Sequence, residues 1–352
     1  MNSIHKIYFQ SSKKMSLVPS NSIDLVITSP PYPMIKMWDD MFSKQNSLIS
    51  DALQDSDGQT AFELMHQELD YVWDEVSRVM KNSAFACINI GDATRTINGN
   101  FGLYSNHTRI LQYFLSIGFT ALPDILWRKQ TNAPNKFMGS GMLPAGAYVT
   151  LEHEYVLIFR KGPKREFKKQ SEKKNRLKSA YFWEERNVFF SDIWFDIKGT
   201  LQGLSESDER KRSAAFPFEL PYRLINMYSA KTDIILDPFA GIGTSMAAAM
   251  ASARNSVGYE IDHGLRNAIY GIKDNIVDFS NKYILNRLNR HVSFVQEKML
   301  SKGALSFKYQ NRHYAFPVTT RQEKELILNK LTDVREVDNN MFEVSYSDAS
   351  QF

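Results

Sequence analysis

Two short stretches of this sequence hold residue types at spacings that can do chemistry. The first is Ser29-Pro30-Pro31-Tyr32-Pro33, which follows the apolar run Ile23–Thr28. Prolines can neither extend a strand ladder nor enter a helix here, so the strand ends and the chain turns into a stiff loop. Such a loop leaves backbone carbonyls and the Ser29 hydroxyl pointing outward, and Tyr32 offers a flat face. A pocket of this kind can stack a planar base and accept hydrogen bonds from its exocyclic amino group. Accepting those hydrogens turns the nitrogen lone pair toward an electrophile. Positioning and electrostatics then suffice, without a metal or a covalent intermediate.

The second stretch is Asp237-Pro238-Phe239-Ala240-Gly241-Ile242-Gly243-Thr244-Ser245, between the apolar Ile234–Leu236 and the alanine-rich Met246–Ala253. Glycines there let backbone approach a ligand, and the helix that opens next offers free N–H groups. Glu260 ends the following strand, Ser256–Ile261, where a carboxylate can accept from both hydroxyls of a ribose. Strand, loop, helix, strand and acid together describe a nucleoside-cofactor site. The full G-x-G-x-x-G pattern is absent, because Met246 stands three places after Gly243.

The elements that must position these loops follow from periodicity. Met65, Leu69, Val72, Trp73, Val76 and Val79 fall at helical spacing within Phe62–Lys81, an amphipathic helix for one face of a sheet. Ser83–Ile90 reads as a buried strand and Arg109–Ile117 as a helix with Gly118 just past its end. Ala121–Trp127 and Tyr155–Phe159 read as further strands. This is the rhythm of a parallel α/β sheet.

Composition narrows the class. The chain has 352 residues, 43% hydrophobic and 23% charged, with a net charge of +4. No apolar run is long enough for a transmembrane helix, and Met1–Gln10 lacks the form of a secretory signal, so a cytoplasmic protein is expected. The single cysteine, Cys87, sits between Ala86 and Ile88 in a strand. It reads as a small core residue rather than a thiolate nucleophile, which excludes cytosine-C5 chemistry. His153 and Glu154 are adjacent on a strand and face opposite ways, so they read as structural and no metal site is expected.

The motif order resembles that of the beta-class DNA amino methyltransferases. The matching segments are Thr28-Ser-Pro-Pro-Tyr32, Asn89-Ile-Gly-Asp92, Trp127-Arg-Lys129, His153-Glu-Tyr155, Ala215-Phe-Pro-Phe-Glu-Leu220 and Asp237-Pro-Phe-Ala-Gly-Ile-Gly-Thr244. The resemblance implies a Rossmann-like α/β methyltransferase fold with a largely parallel sheet. It further implies a circular permutation that puts the catalytic motif before the cofactor motif, and a small DNA-recognition module. It implies S-adenosyl-L-methionine as cofactor and double-stranded DNA as partner. A restriction–modification setting follows, with a cognate restriction endonuclease that forms no stable complex. Ser before Pro-Pro-Tyr favours cytosine N4 as acceptor. Adenine N6 on the same scaffold is the alternative, and a non-catalytic nucleic-acid-binding relative or an RNA or small-molecule methyltransferase is more distant.

By the same resemblance Ser29 and the Pro30 carbonyl hold the target amino group, Pro31 stiffens the loop and Tyr32 stacks on a flipped base. Asp92 is expected near Ser29 as an orienting or proton-accepting group. Asp237, Phe239, Gly241, Gly243 and Thr244 would wrap the methionine end of the cofactor. Glu260 would take the ribose, Ile261 would line the adenine, and Phe216, Pro217 and Glu219 would complete the pocket. Ile242 stands where a small residue is frequent, and its side chain is expected to turn into the sheet.

Ten Lys/Arg against two Glu lie between Arg160 and Lys178, a local excess of eight positive charges. The run is expected to contact phosphates through Lys161, Lys164, Arg165, Lys168, Lys169, Lys173, Lys174 and Arg176. The expected division is 1–160 catalytic, 161–211 target recognition, 212–280 cofactor binding and 281–352 a C-terminal extension. Arg312–Arg321 in that extension is a further candidate DNA contact. Trp38–Asp57 and Leu143–Tyr148 are expected to be mobile closing loops.

Overall fold

A computed structural model of the chain describes residues 1–129, 138–199, 216–303 and 306–349. The polar stretch Ser205–Arg212, Ala215 and the 211/212 boundary lie outside the described residues. Ten strands form one sheet. In chain order they are β1 (Asn2–Tyr8), β2 (Ile23–Thr28), β3 (Met80–Ile90), β4 (Phe119–Arg128), β5 (His153–Lys161), β6 (Ile193–Trp194), β7 (Ile234–Asp237), β8 (Asn255–Tyr259), β9 (Asn329–Asp338) and β10 (Met341–Asp348). Their spatial order is β6-β4-β5-β3-β2-β7-β8-β1-β10-β9.

The middle of the sheet, β3-β2-β7-β8-β1, is parallel throughout. All six residues of β2 are buried, as expected of a central strand covered on both faces. Side-chain alternation sends Val26, Ala86 and Ile88 to one face, where Met65, Leu69, Trp73 and Val76 of α3 (Gly58–Val79) meet them. Leu25, Ile27 and Cys87 point to the other face, against Leu220 and Leu224 of α7 (Glu219–Tyr228) and Ala248 of α8 (Thr244–Ala251). Asp57 caps α3 by accepting from the Thr60 backbone N–H at 3.0 Å. The helix read at Arg109–Ile117 spans Asn106–Ser116, and Gly118 follows it at φ 88°.

The sheet is largely parallel, as expected, but β5 runs antiparallel to both β3 and β4. That reversal decides where the chain emerges. The upper edge is defined here by the C-terminal ends of β2, β3, β7 and β8. Tyr155 pairs with Ile90 near that edge, whereas Arg160 pairs with Phe85 and Lys161 with Phe119 toward the lower one. The basic run therefore leaves the sheet at the lower edge. A six-residue strand at about 3.3 Å per residue puts roughly 20 Å between the edges.

Several loops and termini are more ordered than their sequence suggests. Trp38–Asp57 is largely helical, as α1 (Asp39–Gln45) and α2 (Ser47–Gln54). Within Leu143–Tyr148, Ala147 and Tyr148 pair with Met138 and Gly139 in a short ladder. The segment beyond residue 280 is woven into the same sheet, since β10 pairs with β1 and β9 with β10. Its stretch Arg312–Arg321 turns inward: Tyr314 and Phe316 are buried with Phe182 and Leu288, and Arg312 pairs with Glu325. Preceding these strands, α9 (Ile272–Lys302) is amphipathic only in patches, burying Ile276, Ile284, Leu288 and Val295.

Candidate active site

The upper edge gathers both sequence motifs. Ser29 follows β2 directly, and the loop of Asp237–Gly243 follows the neighbouring β7. The two are tied by Asp237, whose Oδ1 accepts from Thr28 Oγ1 at 2.6 Å and from the Phe239 backbone at 3.1 Å. Its Oδ2 accepts from Ser245 Oγ at 2.6 Å. Burial pushes this carboxyl above its ordinary range, and these donors oppose the shift. Asp237 thus braces the two loops against each other from beneath the cavity lining.

A cavity of about 240 Å³ opens between the loops. Ser29, Pro30 and Pro31 line one side, and Phe239, Gly241, Ile242, Glu260 and Ile261 line the other. Gly241 (φ 55°) and Gly243 (φ 84°) take left-handed conformations that shape the turn. The Gly241 N–H donates to Glu260 Oε2 at 2.7 Å, and the Asp262 N–H donates to Oε1 at 2.8 Å. Each oxygen keeps a second lone pair for a ligand hydroxyl. Burial raises the Glu260 carboxyl, and the two backbone donors counter it. Ile261 sits half exposed at the rim. Ile242 faces the cavity instead of the sheet, so it forms part of the wall.

Sequence reasoning missed much of this wall. Gln10–Lys13, the turn after β1, lines it beside Trp38 and Met41 near α1 and Leu69 and Val72 of α3. Lys13 forms an ion pair there with Glu68. The helical spacing of Leu69 and Val72 identified a buried face but not that its middle borders a cavity. Conversely, Phe216, Pro217 and Glu219 lie outside the lining. Phe216 is buried with Trp127 and Leu220, and Pro217 is buried too. Glu219 accepts from Arg223 at 2.7 Å and from the Tyr283 hydroxyl, which joins α7 to α9. Thr244 opens α8, outside the lining.

The Ser29 loop has an unforeseen partner. Ser29 Oγ lies 3.0 Å from the Tyr32 hydroxyl, which donates to Glu154 Oε2 at 2.9 Å. Asn89 Nδ2 donates to Tyr32 at 2.9 Å and to Glu154 Oε2 at 2.7 Å. Lys129 Nζ donates to Glu154 Oε1 at 2.9 Å. Burial, then the Glu154 charge, hold the Tyr32 phenol well above its usual range, so it stays protonated. Gly91 allows this packing: a Cβ there would meet Tyr32 Cε2 at 3.0 Å and Glu154 Cγ at 3.3 Å. Asp92 turns elsewhere, accepting from the His107 backbone at 3.1 Å and pairing with its ring at 2.8 Å. The acid reaching the Ser29 loop is Glu154, not the expected Asp92. A signal was available: Asn89 and Glu154 sit on adjoining strands, each near the strand end that meets the upper edge.

Cys87 is fully buried in mid-strand, and burial pushes its thiol far up. It is no nucleophile. The proposed phosphate contacts divide at the lower edge. Lys161 Nζ donates to the carbonyls of Ser77 (2.6 Å) and Met80 (2.9 Å), and Arg165 forms a two-pronged pair with Asp233 at 2.5 and 2.9 Å. These two cations fasten the chain to the lower ends of β3 and β7. Lys164, Lys168, Lys169, Lys173, Lys174 and Arg176 extend beyond them, the last three on α5 (Gln170–Lys178). Antiparallel β5 delivers all of them to the edge opposite the cavity.

A family model described as DNA methylase matches residues 23–270. The chain is 49% identical over 351 residues to the Type II methyltransferase M.MthZI of Methanothermobacter thermautotrophicus, covering 99% of this chain and 97% of that one. It is 47% identical over 296 residues to the Type II methyltransferase M.MjaI of Methanocaldococcus jannaschii, covering 80% and 96%. Among solved structures it resembles TTHA0409 of Thermus thermophilus, complexed with S-adenosyl-L-methionine, at TM-score 0.58 and 28% identity over 78% of this chain and 95% of that one. The cytosine-N4-specific PvuII DNA methyltransferase shares the fold at TM-score 0.51 and 16% identity, over 80% and 92%.

Proposed function

The chain belongs to the DNA methylase family, and from that premise we propose that it methylates the exocyclic N4 of a cytosine in a short duplex site. The observation that carries this reading is the shared cavity lined by both Ser29–Pro31 and Gly241, Glu260 and Ile261. Its residues fit S-adenosyl-L-methionine. Glu260 offers carboxylate oxygens for ribose hydroxyls, Ile261 and Phe239 offer apolar surface, and left-handed Gly241 leaves open space beside the backbone. That molecule is a substrate here and supplies an electrophilic methyl group.

The chain's own groups would do the rest by placement. Ser29 Oγ and the Pro30 carbonyl accept from the target amino group, which localises its lone pair toward the methyl. Tyr32 presents its ring to the extruded base, its hydroxyl end anchored at Glu154 and Asn89. Extruding the base costs a few kcal/mol, offset by contacts with the opened duplex. Ser29 in place of an acidic residue favours cytosine over adenine. DNA would lie across the upper edge, where the cavity opens and the Arg128–His153 connection emerges. Both similar Type II methyltransferases support a restriction–modification setting with a separate endonuclease of the same site specificity.

The test is mass analysis of nucleosides from duplex DNA methylated by the purified protein. N4-methylcytosine is the expected product, and N6-methyladenine alone would overturn the choice of base.

A further inference from the structure

We propose that Glu154 is the terminal proton acceptor of the methyl transfer, reached from the target amino group through the hydroxyls of Ser29 and Tyr32. The inference rests on the reading above that Ser29 holds that amino group. Asn89 and Glu154 fix the direction of the chain. Asn89 Nδ2 has only hydrogens to offer and Glu154 Oε2 is an acceptor, so the Tyr32 oxygen accepts from Asn89 and donates to Glu154. Ser29, 3.0 Å from the same oxygen, then donates to Tyr32. This leaves both Ser29 lone pairs for an incoming N–H. Every link lies within hydrogen-bond reach, and Glu154 is buried, as is Asn89.

The step balances. The amino nitrogen forms a bond to the methyl carbon as the carbon–sulfur bond of the sulfonium donor breaks, leaving a neutral thioether and a cationic nitrogen. That nitrogen gives a proton to Ser29 Oγ, Ser29 passes its own to Tyr32, and Tyr32 passes its own to Glu154. The acceptor becomes a neutral carboxyl and the base is released neutral. Lys129, on the other carboxylate oxygen, keeps the charged form paired before transfer. Glu154 touches no reacting atom and acts as a positioning and proton-accepting residue through Tyr32.

The test is single-turnover methylation of duplex DNA by Glu154→Gln, Glu154→Asp, Tyr32→Phe and the double variant Tyr32→Phe/Glu154→Gln. Calorimetric affinity for S-adenosyl-L-methionine is measured alongside. Glu154→Gln keeps the shape but cannot take the proton, and its transfer rate should fall about 100-fold with donor affinity within about 2-fold. Glu154→Asp should recover at least about a tenth of the wild-type rate. The double variant should be no slower than the slower single one, because both cut one chain. A wild-type rate for Glu154→Gln, equal losses in the Gln and Asp variants, additive losses, or a matching loss of donor affinity would each overturn the relay. The product nucleoside from the same reactions identifies the base independently. Methylation at adenine N6 would unseat cytosine as target and leave the relay to be judged on the rate ratios.

Discussion

At the upper edge of the sheet, polar groups converge from places far apart in the chain: Ser29, Asn89, Lys129, Glu154, Asp237 and Glu260. At the lower edge the cations come from one continuous run, and two of them are tied to the protein itself. The first region sets acids and cations against one another around a cavity; the second has an excess of cations, and its anchored members bind protein carbonyls and Asp233. Charge density along the sequence therefore does not coincide with the cavity. Strand direction does, as in parallel sheets whose ligand-binding loops gather at the carboxyl ends of the strands.

The largest expected contrast comes from Ser29→Ala. Removing the hydroxyl proposed to hold the target amino group should lower single-turnover methylation by on the order of 10²–10³-fold and leave donor affinity within about 2-fold. Equal loss of both would deny Ser29 a role specific to the acceptor. Next is Glu260→Ala on the facing wall, which removes a charged acceptor from the ligand. Calorimetry should show donor Kd rising about 10- to 100-fold, while the rate at saturating donor changes little. A rate loss without weaker binding would move Glu260 out of the ribose site.

The lower edge should answer in stability rather than activity. Arg165→Ala leaves Asp233 without its two-pronged partner, and denaturant unfolding should show a loss of about 1–2 kcal/mol. Activity per folded molecule should stay at the wild-type level. The smallest effect belongs to the combined replacement of Lys168, Lys169, Lys173 and Lys174 by Ala. Affinity for cognate duplex should change by less than about 2-fold, with an unchanged salt slope. Four lost phosphate contacts would instead flatten that slope by about 3–4.

Much of the fold was legible because it rests on local pattern. The apolar run of β2, the helical face of α3 and the loop after β7 each declare themselves within about twenty residues or fewer. Both motifs that border the cavity were legible for the same reason, since Ser29–Pro31 and Phe239–Gly241 are contiguous. What was hidden depends on pairing across the chain. Periodicity gives a strand's existence but not its direction, so the reversal at β5, and with it the placement of the basic run, could not be read. Glu154 reads as structural because it and His153 face opposite ways on one strand, and its partner Tyr32 lies 122 residues away. Asp92 looked apt by position at a strand end, yet its carboxylate is held by His107. Arg312–Arg321 read as a candidate DNA contact, and packing against Phe182 from another segment buries its Tyr314 and Phe316.

The claim that both chemistry and DNA belong to the upper edge is most directly tested by hydrogen exchange. Backbone amides of the whole protein would be followed with S-adenosyl-L-methionine bound, with and without a cognate duplex. The account predicts that DNA slows exchange in 29–45, 91–105 and 138–152 and leaves 164–178 unchanged. Protection concentrated in 164–178, with the Ser29 loop unaffected, would contradict it.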